Sequence, residues 1–158
     1  MTPAIRVLDN WNISYRLHSY HHEPNGPSYG MEAAQKLGIP ADQVLKTLIV
    51  RDERQKIMVA IIPASARLDL KAVAAAAGAK KISIASPSVA QRSTGYAVGG
   101  ISPFGQRRHY RTFLERSAMG QPHVFVSAGR RGVEISLRTI DLIKLVEAEV
   151  ASIAVHIV

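Results

Sequence analysis

Two apolar, β-branched runs, Val44 to Arg51 and Lys56 to Ile62, are separated only by the polar Asp52 to Gln55. Runs of this length on either side of a turn read as the strands of a hairpin. Nearly every position is apolar, rather than every second one. Both faces must therefore be covered, which places the hairpin in the middle of a sheet. Lys46 breaks the pattern between Leu45 and Thr47. A charge inside a covered strand is costly unless it has a partner. Either its stem reaches water past the strand, or the strand carries the ammonium into a site.

The remaining chain alternates between helix and strand signals. Thr2 and Pro3 open a first helix with Ile5 and Leu8 facing inward. Ile13 to Tyr20 alternates, with Ile13, Tyr15 and Leu17 on the apolar face. A polar loop from His21 to Pro27 leads to a helix from Ser28 to Leu37, stopped by Gly38. Asp69 caps an alanine-rich helix over Leu70 to Ala77, Lys80 to Ala85 is a short strand, and Ser86-Pro87 opens a further short helix. His123 to Ser127 and Val133 to Leu137 form a second hairpin around Gly129-Arg130-Arg131-Gly132. Ile140, Ile143, Val146, Val150 and Ile153 repeat at helical spacing and predict a long last helix capped by Thr139. The pattern predicts one α+β domain over residues 1–158, with a mixed sheet and several helices. The tail from Ala154 to Val158 receives no role.

Ala90 to Pro103 has no amphipathic period and holds three glycines, a Ser-Thr pair and a Ser-Pro step. Such backbone lets a ligand approach closely and leaves amides free to bond it. Charge points to an anionic partner: Lys plus Arg is 20 against 12 acids, a formal net charge of +8. Between Ile101 and Arg138 lie Arg107, Arg108, Arg111, Arg116, Arg130, Arg131 and Arg138, against only Glu115 and Glu134. Arginine suits phosphate, although a basic surface that keeps the chain in solution has the same composition.

Several chemistries lack their residues. There is no cysteine, hence no thiolate nucleophile, disulfide or thiolate metal site. No apolar stretch approaches the ~20 residues of a membrane helix, and Met1-Thr2-Pro3 runs straight into the first helix without a leader pattern. Cytoplasmic residence is the expectation. G-x-S-x-G, H-E-x-x-H, the phosphate-binding G-x-x-x-x-G-K-[ST] and a strand-linked G-x-G-x-x-G are all missing. His18, His21 and His22 do not by themselves complete a metal set. Neither metal nor cofactor is expected.

Lys46-Thr47-Leu48, Ala90 to Tyr96 and Val98-Gly99-Gly100-Ile101-Ser102-Pro103 together resemble the YbaK family of aminoacyl-tRNA deacylases. That family is related to the editing domain inserted in many bacterial prolyl-tRNA synthetases. The likeness runs over nearly the whole chain and is strongest to the freestanding branch, which removes cysteine misattached to proline tRNA. It implies a curved, barrel-like sheet flanked by helices. It makes Lys46 the residue on which activity depends. Tyr20, Tyr29 and Thr47 would wall the aminoacyl pocket, with Tyr29 where close relatives carry phenylalanine. Gly99, Gly100, Ile101 and Ser102 would grip the terminal adenosine or form an oxyanion hole. Ser127, Gly129 and Glu134 would face the same pocket from the second hairpin, Glu134 standing near an aspartate of the relatives. Arg107, Arg108, Arg111, Arg130 and Arg131 are candidates for tRNA phosphates.

The mechanism so implied is substrate-assisted. The cysteinyl thiol attacks its own carbonyl, releases the tRNA and leaves as a cyclic thioester, so the protein needs no cysteine, triad or metal. The expected substrate is Cys-tRNA(Pro), with Cys-tRNA(Cys) as a further one. Prolyl-tRNA synthetase is the expected transient partner, since freestanding relatives borrow its tRNA specificity. Two other readings stay open: deacylation of Ala-tRNA(Pro) or another small aminoacyl-tRNA, and a non-catalytic module that binds tRNA or the synthetase.

Overall fold

The predicted central hairpin organises the molecule. In the computed structural model, which describes residues 1–156, its strands are β2 (Leu45–Asp52) and β3 (Ile57–Pro63). They pair antiparallel in the register Leu45 to Pro63 through Arg51 to Ile57. Side chains alternate along a strand, and here both sets are covered. Leu45, Ile49, Val59 and Ile61 enter the main core. Val50, Met58, Ala60 and Ile62 enter a second core on the opposite face.

The hairpin sits inside a five-stranded sheet. β5 (Ile82–Ile84) lies outside β2, while β6 (Thr112–Glu115) and β9 (Glu149–Ala151) follow β3 in parallel. A three-stranded antiparallel sheet holds β1 (Tyr15–Ser19), β8 (Val133–Arg138) and β7 (His123–Ser127), in that order. The two sheets meet where Val44 bridges Phe125 and the Phe125 amide donates to Gln43 O at 3.0 Å. A small pair joins β4 (Ala66–Leu68) to β10 (Ala154–His156). The expected α+β architecture is present. No closed barrel forms among the described residues, since β1 and β9 are outer strands.

The helices are α1 (Pro3–Asn10), α2 (Tyr29–Leu37), α3 (Leu70–Ala77), α4 (Pro87–Thr94) and α5 (Thr139–Val146). Their ends follow local chemistry. Thr2, Asp69 and Ser86 accept amides from the first turns of α1, α3 and α4, and Gly38, Gly78 and Gly95 close α2, α3 and α4 in the left-handed conformation. Ser28 precedes α2 without a side-chain cap.

Three expectations need correction. The last helix stops at Val146, because Glu147 turns left-handed at φ 52° and Ala148 N–H closes on Ile143 O. Val150 then lies in β9, and Ile153 is buried in the second core. Their helical spacing was fortuitous, and Thr139 is the first residue of α5, its hydroxyl donating to Gln121 O. Second, Ala90 to Thr94 is helical despite its weak pattern, with Thr94 buried and donating to Ala90 O at 2.8 Å. Third, Ile13 and Tyr15 pack on the main core. Leu17 shares that face with its partner Ile135, but at the sheet edge it stays 49% exposed.

Arg111 ties the later strands together. Its guanidinium donates to Glu149 at 2.7 and 2.9 Å and to Ala77 O at 3.0 Å, and it lies over the Phe113 ring. It thus joins α3, β6 and β9. Arg111→Ala is expected to lower stability by about 1–2 kcal/mol, the scale of a bidentate, partly exposed pair with a backbone bond. Urea denaturation checks this.

Candidate active site

A cavity of about 330 Å³ opens where β2 has no neighbour. Ala64 N–H bonds Val44 O and Asp52 N–H bonds Lys56 O, so the even-numbered residues of β2 direct their backbone groups at β3. By antiparallel alternation the odd-numbered ones point the other way. On that side Gln43 O takes the Phe125 amide and Ile49 O takes the Ala85 amide. Thr47, between them, faces Ile61 on the β3 side but has no strand partner on this edge among the described residues. Its hydroxyl is also buried without a hydrogen bond.

The cavity gathers much of what the sequence singled out. Lys46 and Thr47 come from β2, Tyr20 follows β1, Tyr29 opens α2, Gly99 and Ile101 come from the loop after α4, and Ser127 and Glu134 come from β7 and β8. Leu45, Ile49, Ala85, Pro87, Ala90 and Val98 complete an apolar lining. Ala90 and Val98 belong to the stretch singled out above, whereas Leu45, Ile49 and Ala85 read in the sequence as ordinary core positions.

The two ionisable groups are held away from water. Burial lowers the pKa of the Lys46 ammonium, and no carboxylate lies within 4.0 Å of it among the described residues. Burial pushes the Glu134 carboxyl up to about 8. At neutral pH Glu134 therefore carries a proton and can donate a hydrogen bond. The Tyr20 hydroxyl is also raised, first by burial and then by the Glu134 and Glu32 charges.

Other expected residues are placed elsewhere. Gly100 packs against the Arg130-Arg131 backbone, and its N–H donates to Ala97 O at 2.9 Å. The Gly99-Gly100 pair therefore does not present two free amides. Ser102 is fully buried away from the cavity, its hydroxyl accepting from Phe104 N–H. Gly129 underlies Tyr96 and Thr2, and its N–H donates to Ser127 Oγ at 3.1 Å. Among the arginines, Arg107, Arg108 and Arg130 are exposed. Arg111 is engaged as described. Arg131 is half-buried, with its guanidinium 4.1 Å above the Tyr29 ring and its Nε 3.5 Å from Glu32. No three His, Cys, Asp or Glu side chains gather as a metal set among the described residues. Nor is any helix there long and apolar enough to cross a membrane.

The model of the aminoacyl-tRNA editing domain matches residues 23–145. The chain belongs to the aminoacyl-tRNA editing domain family. Enterococcus faecalis EbsC, which carries the provisional name of a Cys-tRNA(Pro)/Cys-tRNA(Cys) deacylase, is 31% identical over 96% of this chain and 92% of that protein. The prolyl-tRNA editing protein ProX of Acetoanaerobium sticklandii is 28% identical over 92% and 89%. A crystal structure described as a candidate trans-editing enzyme for prolyl tRNA synthetase superposes with a TM-score of 0.84 over 97% of this chain and 98% of its own, at 23% identity. The YbaK-type resemblance read from the sequence is thereby established, and the fold is that of the trans-editing structures.

Two outcomes test this geometry. A Cβ at Gly99 would stand 2.5 Å from the Tyr29 ring, on a backbone at φ +95°. Gly99→Ala is expected to cost about 1–3 kcal/mol, and Tyr29→Ala in the same chain to recover part of it in thermal melts. Folding also makes Glu134 bind its proton more tightly than the unfolded chain, whose carboxyl has a pKa near 4.5. Stability should therefore fall as pH rises from about 4.5 to about 8. Glu134→Gln should gain on the native protein by up to a few kcal/mol across that window, and by nothing below it.

Proposed function

We propose that this protein is a freestanding trans-editing deacylase that cleaves cysteine from Cys-tRNA(Pro). The observation that carries the reading is Lys46: an ammonium without a carboxylate partner among the described residues, set in a small, largely apolar cavity that the raised carboxyl of Glu134 also lines. A desolvated cation acts strongly on charge that develops next to it. The cavity lies at the low end of the range for small-molecule sites, which suits an aminoacyl group rather than a polynucleotide. The names of the relatives supply the substrate class.

In this reading the ester carbonyl lies beside Lys46, which stabilises the oxyanion. The hydroxyl of Thr47, buried without a partner in the same cavity wall, offers an unused hydrogen-bonding group. The cysteinyl thiol attacks the carbonyl carbon, the ester C–O bond breaks, and the thiol proton passes to the departing 3′ oxygen of the tRNA. A cyclic thioester leaves and water opens it. The chain contributes position and charge. Tyr20, Tyr29, Ser127 and Glu134 bound the side chain and the amino group. Arg107, Arg108 and Arg130, exposed and unpaired among the described residues, are the proposed phosphate contacts. Prolyl-tRNA synthetase is the proposed transient partner and the cytoplasm the proposed compartment. The orphaned Thr47 hydroxyl in the cavity wall favours catalysis or aminoacyl binding over a purely surface-docking module.

The test is the rate of amino acid release from Cys-tRNA(Pro), Ala-tRNA(Pro) and Pro-tRNA(Pro) in parallel. Rapid loss of cysteine alone is expected. Lys46→Ala should reduce it at least about 100-fold, the scale of losing one oxyanion donor, with an unchanged melting temperature. Loss of alanine instead would assign a sister specificity. Binding without turnover would establish a non-catalytic module.

A further inference from the structure

Glu32 is fully buried at the start of α2. Its Oε1 lies 2.8 Å from His22 Nδ1 and 3.5 Å from Arg131 Nε, and its Oε2 accepts the Glu23 amide at 3.0 Å. Burial alone would raise this carboxyl, yet the Glu23 amide, His22 and Arg131 together hold it below the usual range. It is thus a fixed negative charge. A Cβ at Gly26 would stand 2.8 Å from Oε2, so the loop before α2 folds tightly over it. Glu32 does not line the cavity.

Arg131 links this anchor to Tyr29 in the cavity wall. Its Nε is buried without a hydrogen-bond acceptor, so the ion pair at 3.5 Å and the ring beneath are what hold it. The planar guanidinium lies on one side of the Tyr29 ring, and Gly99 lies against that ring, so close that a Cβ there would overlap it. Tyr29 is still 40% exposed and would otherwise be free to swing. Glu32, Arg131, Tyr29 and Gly99 thus touch in succession, from a buried anchor to the wall of the cavity.

We propose that Arg131 is a positioning residue that sets specificity: anchored by Glu32, it clamps Tyr29 against Gly99 and so fixes the width of the aminoacyl pocket. Loosening the clamp admits larger side chains. This deepens the deacylase reading and rests on it for its kinetic readout. A phosphate contact at Arg131 would act differently, weakening every aminoacyl-tRNA alike and lowering the salt dependence of binding.

The test uses Glu32→Gln, Arg131→Gln and Arg131→Lys in the full chain, with two readouts. The first is the ratio of kcat/KM for Cys-tRNA(Pro) over the same tRNA charged with homocysteine, a larger side chain that keeps the thiol the reaction needs. It should fall about 5- to 10-fold in Glu32→Gln and Arg131→Gln, on the scale of one partly buried cation–π contact. The two changes together should do little more than either alone, since both break one unit. Arg131→Lys, which keeps the charge opposite Glu32 but loses the plane, should recover part of the ratio. The second readout is the fluorine spectrum of 3-fluorotyrosine-labelled protein, with the Tyr29 signal assigned by Tyr29→Phe. That signal should shift and narrow in both glutamine variants while the other tyrosines stay in place. An unchanged ratio with KM raised equally for both substrates would overturn the proposal, as would an unmoved Tyr29 signal. Should Glu32→Gln fail to fold, the half-buried Arg131→Gln carries both readouts. Should the native protein cleave no aminoacyl-tRNA, the deacylase reading falls and the Tyr29 signal alone decides the clamp.

Discussion

The antiparallel pairing of β2 with β3 is the constraint on which the rest depends. It runs unbroken from Leu45 to Arg51 and presents two faces, each covered by its own core. With one edge of β2 taken along its whole length, the other edge is shared out. β7 touches it at its start and β5 at its end, and the interval at Thr47 becomes the cavity. The site is therefore a by-product of how two sheets share one strand. The loop after α4 and the start of α2 then wall it.

The same sharing explains the electrostatics. A covered strand that must carry a lysine side chain into a small cavity leaves that ammonium poorly hydrated, and a carboxyl on β8 facing the same space cannot easily ionise. Both groups are pushed towards neutrality by burial. Neither has an ion-pair partner among the described residues to restore the charge. Groups in this condition respond strongly to a polar ligand, and that response is what an ester-cleaving site requires.

Much of this was legible in the chain. The central hairpin could be read from continuous apolarity, the helix starts from Thr2, Asp69 and Ser86, and Lys46 from its conflict with its neighbours. The misses have physical causes. Val150 and Ile153 keep a helical period by accident, and only the left-handed Glu147 shows that the helix has ended. Arg111 and Arg131 look like any surface arginine until the fold brings Glu149 and Glu32, 38 and 99 positions away, against them. The glycine-rich loop promised two amides, but a local turn to Ala97 consumes that of Gly100. Glu32 gave no signal, because a carboxylate early in a helix is ordinary and its burial comes from distant partners.

An interrupted strand edge also bears on how such a chain avoids its own kind. Exposed edges invite another molecule to add a strand, which is a common route to aggregation. Here the open stretch is confined to the few residues between Val44, bridged to β7, and Val50, where the pairing with β5 begins. A ligand the size of an amino acid reaches it, whereas an incoming strand, which needs several residues in register, does not. The opening that admits a small molecule is thereby too short to template a fibril.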